Sequence, residues 1–137
     1  MSEIRQAVDL FNEGYRCSQA VFAAFSPDLG LDKEMALKIG ACFGSGMRKG
    51  EVCGACTGAL MVLGLKYGES KKESDEVCER FLDEFEKQNG SYICNDLLGC
   101  DITTPEGRQY AIDNNLFKDF CPKMVESASR IVKVIMD

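Results

Sequence analysis

Eight cysteines stand at positions 17, 42, 53, 56, 78, 94, 100 and 121 of a 137-residue chain that has no histidine and no tryptophan. Whatever chemistry the chain performs therefore falls first to thiols. The missing imidazole removes Ser-His and Cys-His nucleophile pairs, histidine-ligated zinc and di-iron sites, and histidine-ligated haem. Thr57 follows Cys53-x-x-Cys56 at the place where a c-type haem attachment requires histidine, so no haem is expected. Any metal must be held by thiolate or carboxylate.

The pair Cys53 and Cys56 follows the glycine-rich stretch Gly44-Ser-Gly-Met-Arg-Lys-Gly50 and opens an apolar run. That places the pair at the start of a helix, where free amides and the helix dipole favour thiolate over thiol. A thiolate is both a nucleophile and a soft-metal ligand. Two intervening residues let both sulfurs reach one metal or each other. Cys121 precedes Pro122, a residue favoured at the first helical position, so Cys121 is expected at the cap of the last helix. Cys94 before Asn95-Asp96 is expected to open a short helix in the same way. If these openings converge, they make an electropositive nest for several thiolates or a cluster. Cys42 and Cys78 sit on apolar helical lines beside Ile39 and Phe81 and are expected to be packing only. Pattern alone places Cys17 in the core, and Cys100 is left unassigned.

The elements that must position these residues read as helices. Ile4, Ala7, Val8 and Phe11 form an amphipathic stripe between Ser2 and Glu13, ended by Gly14. A second, buried helix is expected from about Arg16 to Phe25 before Pro27. Asp32 caps a third, whose apolar line is Met35, Ile39 and Cys42. The run from Cys53 through Leu65 is the central buried helix, and its glycines, costly in a helix, let a neighbouring backbone or a cofactor approach. Ser70 to Gln88 carries Val77 or Cys78, Phe81, Leu82 and Phe85 against a charged face and is closed by Asn89-Gly90. Its carboxylates Asp75, Glu76, Glu79, Asp83 and Glu84 read as a solvated face. A turn at Cys94–Leu98, a helix from Thr104-Pro105 to Asp113, and a final helix from Cys121 complete the chain. Alternating strand patterns are missing. The expected fold is all-α, an irregular bundle of about five to seven helices around a central buried helix, in one domain over residues 1–137.

Composition narrows the functional classes. A net charge of −6 argues against a nucleic-acid partner, which needs clustered Lys and Arg. No apolar stretch approaches the roughly 18 residues that would span a bilayer, and residues 1–14 lack the apolar run of a secretory signal. A cytoplasmic location is the expectation, with cysteines kept reduced. The glycine-rich stretch lacks the Gly-Lys-Ser/Thr ending of a P-loop.

Cys53-Gly-Ala-Cys-Thr-Gly58 fits a CGAxxG motif, and with Cys17, Cys94 and Cys121 the chain resembles the C_GCAxxG_C_C family along essentially its full length. The segment Tyr15-Arg-Cys-Ser-Gln-Ala-Val21 and the glycine-rich lead-in belong to the same likeness. The resemblance implies four shared cysteines, Cys17, Cys53, Cys94 and Cys121, and so moves Cys17 from core to site. Cys56 falls at a variable position, as an extra ligand, a resolving thiol or a neighbour. The resemblance also implies redox activity. Split-Soret cytochromes are similar and hold an iron-sulfur centre, although this chain lacks a haem histidine.

Three readings follow. In the first, Cys17, Cys53, Cys94 and Cys121 bind an iron-sulfur cluster or other thiolate-bound metal, served by an electron-transfer or metal-donor protein; all-thiolate ligation without histidine suits such centres. In the second, Cys53 and Cys56 form the catalytic pair of a metal-free dithiol protein, with Cys56 or Cys94 resolving Cys53. In the third, the thiols close a structural zinc site or a metal carrier that catalyses nothing. The oligomeric state is left open.

Overall fold

The computed structural model describes residues 2–137. They form eight α-helices: α1 (Glu3–Asn12), α2 (Cys17–Phe25), α3 (Lys33–Ile39), α4 (Gly54–Tyr67), α5 (Lys71–Asn89), α6 (Cys94–Leu98), α7 (Pro105–Asp113) and α8 (Cys121–Met136). No strand occurs among the described residues; one antiparallel bridge joins Val52 to Ile93. The protein is all-α, as its sequence predicts.

The helix starts fall into two kinds. Ser2, Asp32, Ser70 and Thr104 cap α1, α3, α5 and α7 with side-chain oxygens that accept from Arg5, Met35, Glu73 and Gly107 N–H. Such a cap contributes about 1 kcal/mol. The cap positions of α2, α4, α6 and α8 are Arg16, Cys53, Ile93 and Phe120, none of which has a side-chain oxygen to supply a cap; at α2 the Arg16 N–H instead donates to Gln19 Oε1 at 2.8 Å. Each of these four helices carries a cysteine at its cap or first residue.

Helix α4 runs through the middle. Its Ala55, Cys56, Ala59, Val62 and Leu63 are buried against α2, α5 and α8. Small residues make this packing close: a Cβ on Gly58 would stand 2.6 Å from the Ser18 carbonyl oxygen of α2. From α5 come Phe81 and Phe85, fully buried and stacked at 6.0 Å. From α8 come Val125, Ala128 and Val132. Burying a large apolar side chain stabilises by about 1.5–3 kcal/mol, so this region holds most of the apolar stabilisation. A separate, smaller cluster contains Cys94, Leu98, Ile102 and Ala111, with Leu116, Phe117 and Phe120 against it.

Two of the packing assignments require correction. The expected apolar line of α3 faces solvent: Met35 and Ile39 are 45% and 47% exposed, and Cys42 is exposed in a turn beyond the helix. The contact is made instead by Ala36 and Gly40, whose smallness lets α3 lie on α2. There the buried Ser18 hydroxyl donates to Gly40 O at 2.7 Å, and Gln19 Nε2 donates to Leu37 O at 2.8 Å. Cys78, in the middle of α5, is half-buried and not part of the core that holds Phe81.

A cysteine-lined cavity at four helix starts

The glycine-rich stretch before α4 does more than give clearance. Ser45, Gly46, Met47 and Arg48 all have positive φ, between 54° and 64°, so the chain makes a left-handed turn through three non-glycine residues. Left-handed backbone costs roughly 1–2 kcal/mol per ordinary residue. The turn is fixed by Gly46, where a Cβ would meet the Glu51 backbone at 2.3 Å, and by Gly50, packed on the Asn95 side chain. It carries the Ser45 N–H to the sulfur of Cys17, to which that amide donates.

Gly54 serves the same junction from the other side. A Cβ there would come within 2.4 Å of Cys17 Sγ and 3.0 Å of Phe43 O. The starts of α2 and α4 therefore touch only because residue 54 has no side chain. From the far side, Cys53 N–H donates to Tyr92 O at 2.8 Å, and Cys94 N–H donates to Glu51 O. These bonds strap the start of α6 to the start of α4.

Cys17, Cys53, Cys94 and Cys121 all line one cavity of about 720 Å³. Apolar walls are supplied by Phe11, Leu97, Leu98, Phe117, Phe120 and Met124. Its charged lining is Arg16, Arg108 and Lys118, with no carboxylate. Among the described residues, no three His, Cys, Asp or Glu side chains stand close enough together to hold a single metal ion.

The thiols are electrostatically unequal. Cys53 lies below the usual thiol range, chiefly because the Cys56 S–H donates to it, with help from the Ala55 and Cys56 amides at the start of α4. Burial opposes this and is outweighed. Cys56 is fully buried behind Cys53, is absent from the cavity wall, and is pushed strongly up by burial and by the bond to Cys53. Burial first, then the neighbouring Cys53, pushes Cys17 up to about 12. Cys94 is likewise raised to about 12 by burial, then by Cys53 and Cys17, with Arg108 pulling the other way. Cys121 is raised by burial and by Cys17, Cys53 and Cys94. Charge on any one of the four is felt by the others.

Of the remaining cysteines, Cys100 is half-buried against the smaller cluster near Cys94, while Cys42 and Cys78 lie away from the cavity lining. Pattern reasoning missed Ser45 as an amide donor and Arg16, Arg108 and Lys118 as lining cations. Arg16 was visible only as the neighbour of Cys17, and nothing in the sequence separates Arg108 from other surface arginines.

Fold and site together define an all-α protein with a cysteine cavity at converging helix starts. Comparison with known families matches residues 15–135 to C_GCAxxG_C_C, described as "Putative redox-active protein (C_GCAxxG_C_C)". The chain belongs to that family. Neither the curated proteins nor the solved structures contain a match. No helix among the described residues is long and apolar enough to cross a membrane.

Proposed function

We propose that the protein is a redox protein whose Cys17, Cys53, Cys94 and Cys121 hold an iron-sulfur centre in the cavity. One observation carries this reading: four thiols, each from the start of a different helix, line a single space whose lining has no histidine or carboxylate. The donor set suits iron-sulfur ligation, which is predominantly by thiolate.

When bound, such a centre supplies one-electron transfer. The chain's own residues prepare for it. Ser45, Ala55 and Cys56 amides donate to the sulfurs of Cys17 and Cys53, stabilising thiolate charge and tuning its donor strength. Arg108 lies near enough to Cys94 to favour its thiolate. The aromatic and leucine walls limit water and strengthen these interactions. Electrons pass to or from a separate carrier protein. Purified without oxygen, the protein is expected to contain stoichiometric iron and sulfide with visible charge-transfer bands, and Cys53→Ser to lose them. A full complement of iron in that variant would sink the proposal.

The Cys56 to Cys53 hydrogen bond favours a second reading, dithiol chemistry. A lowered attacking thiol backed by a buried, raised partner is the arrangement that thiol-disulfide exchange requires. Protein that isolates without metal and loses two hydrogens reversibly between Cys53 and Cys56, by peptide mass mapping, would favour it.

A further inference from the structure

The cavity is cationic in an anionic protein. The chain has a net charge of −6, yet the charged lining consists of Arg16, Arg108 and Lys118 alone. None of the three is in a salt bridge among the described residues, where the ion pairs are Arg5–Asp9, Arg130–Glu126 and Lys133–Glu3. Arg108 is half-buried and acts on Cys94. Arg16 lays its aliphatic stem over Gly44, where a Cβ would meet its Cδ at 2.7 Å, so the arginine is seated on the loop beside Cys17. Three cations without carboxylate partners around low-dielectric walls focus a positive potential.

We infer that the mouth of the cavity, where Arg16 and Lys118 are exposed and Arg108 is half-buried, admits and binds a small organic anion carrying a carboxylate or phosphate group and an apolar portion, next to the space the four thiols enclose. Its volume of about 720 Å³ falls within the roughly 300–1,000 Å³ of small-molecule sites, which combine apolar walls with a few convergent polar groups. Phe117 and Phe120 offer the apolar contact, and the arginines offer paired N–H donors that match a carboxylate or phosphate. This deepens the proposed redox site by naming the charge class of what reaches it, and rests on that reading only for the ligand's purpose.

The test compares two alkylating reagents on the full chain, reduced and treated with chelator, with circular dichroism recording its helical fold. Iodoacetate is the anionic probe and iodoacetamide the neutral one. Each carbon–sulfur bond forms at Cys53 as the thiolate displaces iodide, and peptide mass mapping locates it. Relative to the same ratio for free cysteine, the iodoacetate-to-iodoacetamide rate ratio at Cys53 is expected to rise about tenfold or more at low salt. It should fall towards the free-cysteine value near 1 M salt, where the screening length is about 3 Å. Arg108→Gln and Arg16→Gln should each lower the ratio severalfold, while Arg108→Lys keeps most of it. A ratio equal to that of free cysteine, or one unmoved by salt and by both glutamine variants, overturns the inference. So does failure of either reagent to reach Cys53. Iron content, measured separately on the protein as purified, decides the cluster reading independently, so failure of one claim leaves the other standing.

Discussion

The packed middle of the bundle and its cysteine end are built on opposite terms. Around α4 the side chains are apolar, the backbones lie close, and α5 contributes two stacked, fully buried phenylalanines. At the cysteine end the smaller cluster has four buried members, one of them Cys94, beside a cavity and a left-handed turn. Stability is stored in the first region and spent in the second, where strained backbone aims amides at sulfur. Strain of this kind persists only where the surroundings over-determine it. The oxygen-capped helices α1, α3, α5 and α7 keep their starts satisfied locally, whereas the cysteine-started helices meet one another at the cavity.

The strongest way to break this division is to attack the middle alone. Phe85→Ala removes a fully buried ring and is expected to cost about 3–5 kcal/mol in a urea titration. Read as one domain over residues 1–137, the chain should still unfold in one transition. Iron bound per folded molecule should stay unchanged. If iron falls while stability does not, the two regions are not separable in this way.

Gly54→Ala acts at the seam. The added methyl must displace Cys17 Sγ, 2.4 Å away, against a Phe43 carbonyl that gives little. A cost of about 1–3 kcal/mol is expected, together with loss of iron. Wild-type stability and iron in this variant would show that the starts of α2 and α4 are not held so close.

Titration sharpens the contrast without a mutation. In the reduced, metal-free protein, Cys17 and Cys94 keep their protons to about 12, against 9.0 for an ordinary thiol, and Cys121 is raised in the same direction. The folded state therefore holds protons that the unfolded chain releases near pH 9. The stability tied to these thiols is fully present below that pH and is lost as pH rises from about 9 towards 12. Cys53, shifted down, acts oppositely: its contribution is present above the ordinary thiol range and lost as pH falls through its lowered value. Urea midpoints should decline above pH 9, and Cys17→Ala should flatten that decline. An equal slope in both proteins would place the effect elsewhere.

Much of the scaffold was legible because caps and periodicity act locally. Ser70 and Gly90 bracket α5 as the pattern predicts, and Thr104-Pro105 opens α7. The errors arise where small residues make the contact. Met35, Ile39 and Cys42 form a fair apolar line, but Gly40 and Ala36 decide which side of α3 meets α2. Cys53 was legible from its local setting, whereas Cys17 reached the site only through family resemblance. Its pairing with Gly54 depends on two helices meeting, which no local pattern encodes. The left-handed run at Ser45 to Arg48 was hidden too, since three of its four residues ordinarily avoid that conformation.

The smallest expected effect tests whether cysteine content or cysteine position matters. Cys42 is exposed, while Cys78 and Cys100 are half-buried. The thiols of Cys78 and Cys100 are raised, first by burial and then by acidic neighbours, Asp75 and Glu79 for Cys78 and Asp101 for Cys100. None of the three lines the cavity. Alanine at 42 and 78 should change stability by no more than about 0.5 kcal/mol, the range of ordinary surface substitutions. Cys100→Ala is the more searching case, because that residue packs on the cluster containing Cys94 and adds to the charge Cys94 feels. With the thiol gone, Cys94 loses one neighbour that, once ionised, disfavours its thiolate, so in the metal-free protein its alkylation should quicken slightly above about pH 9, while the iron content of the protein as purified holds. Loss of iron in Cys100→Ala would enlarge the site to a fifth cysteine; a triple variant that keeps its iron would confine it to the four at the helix starts.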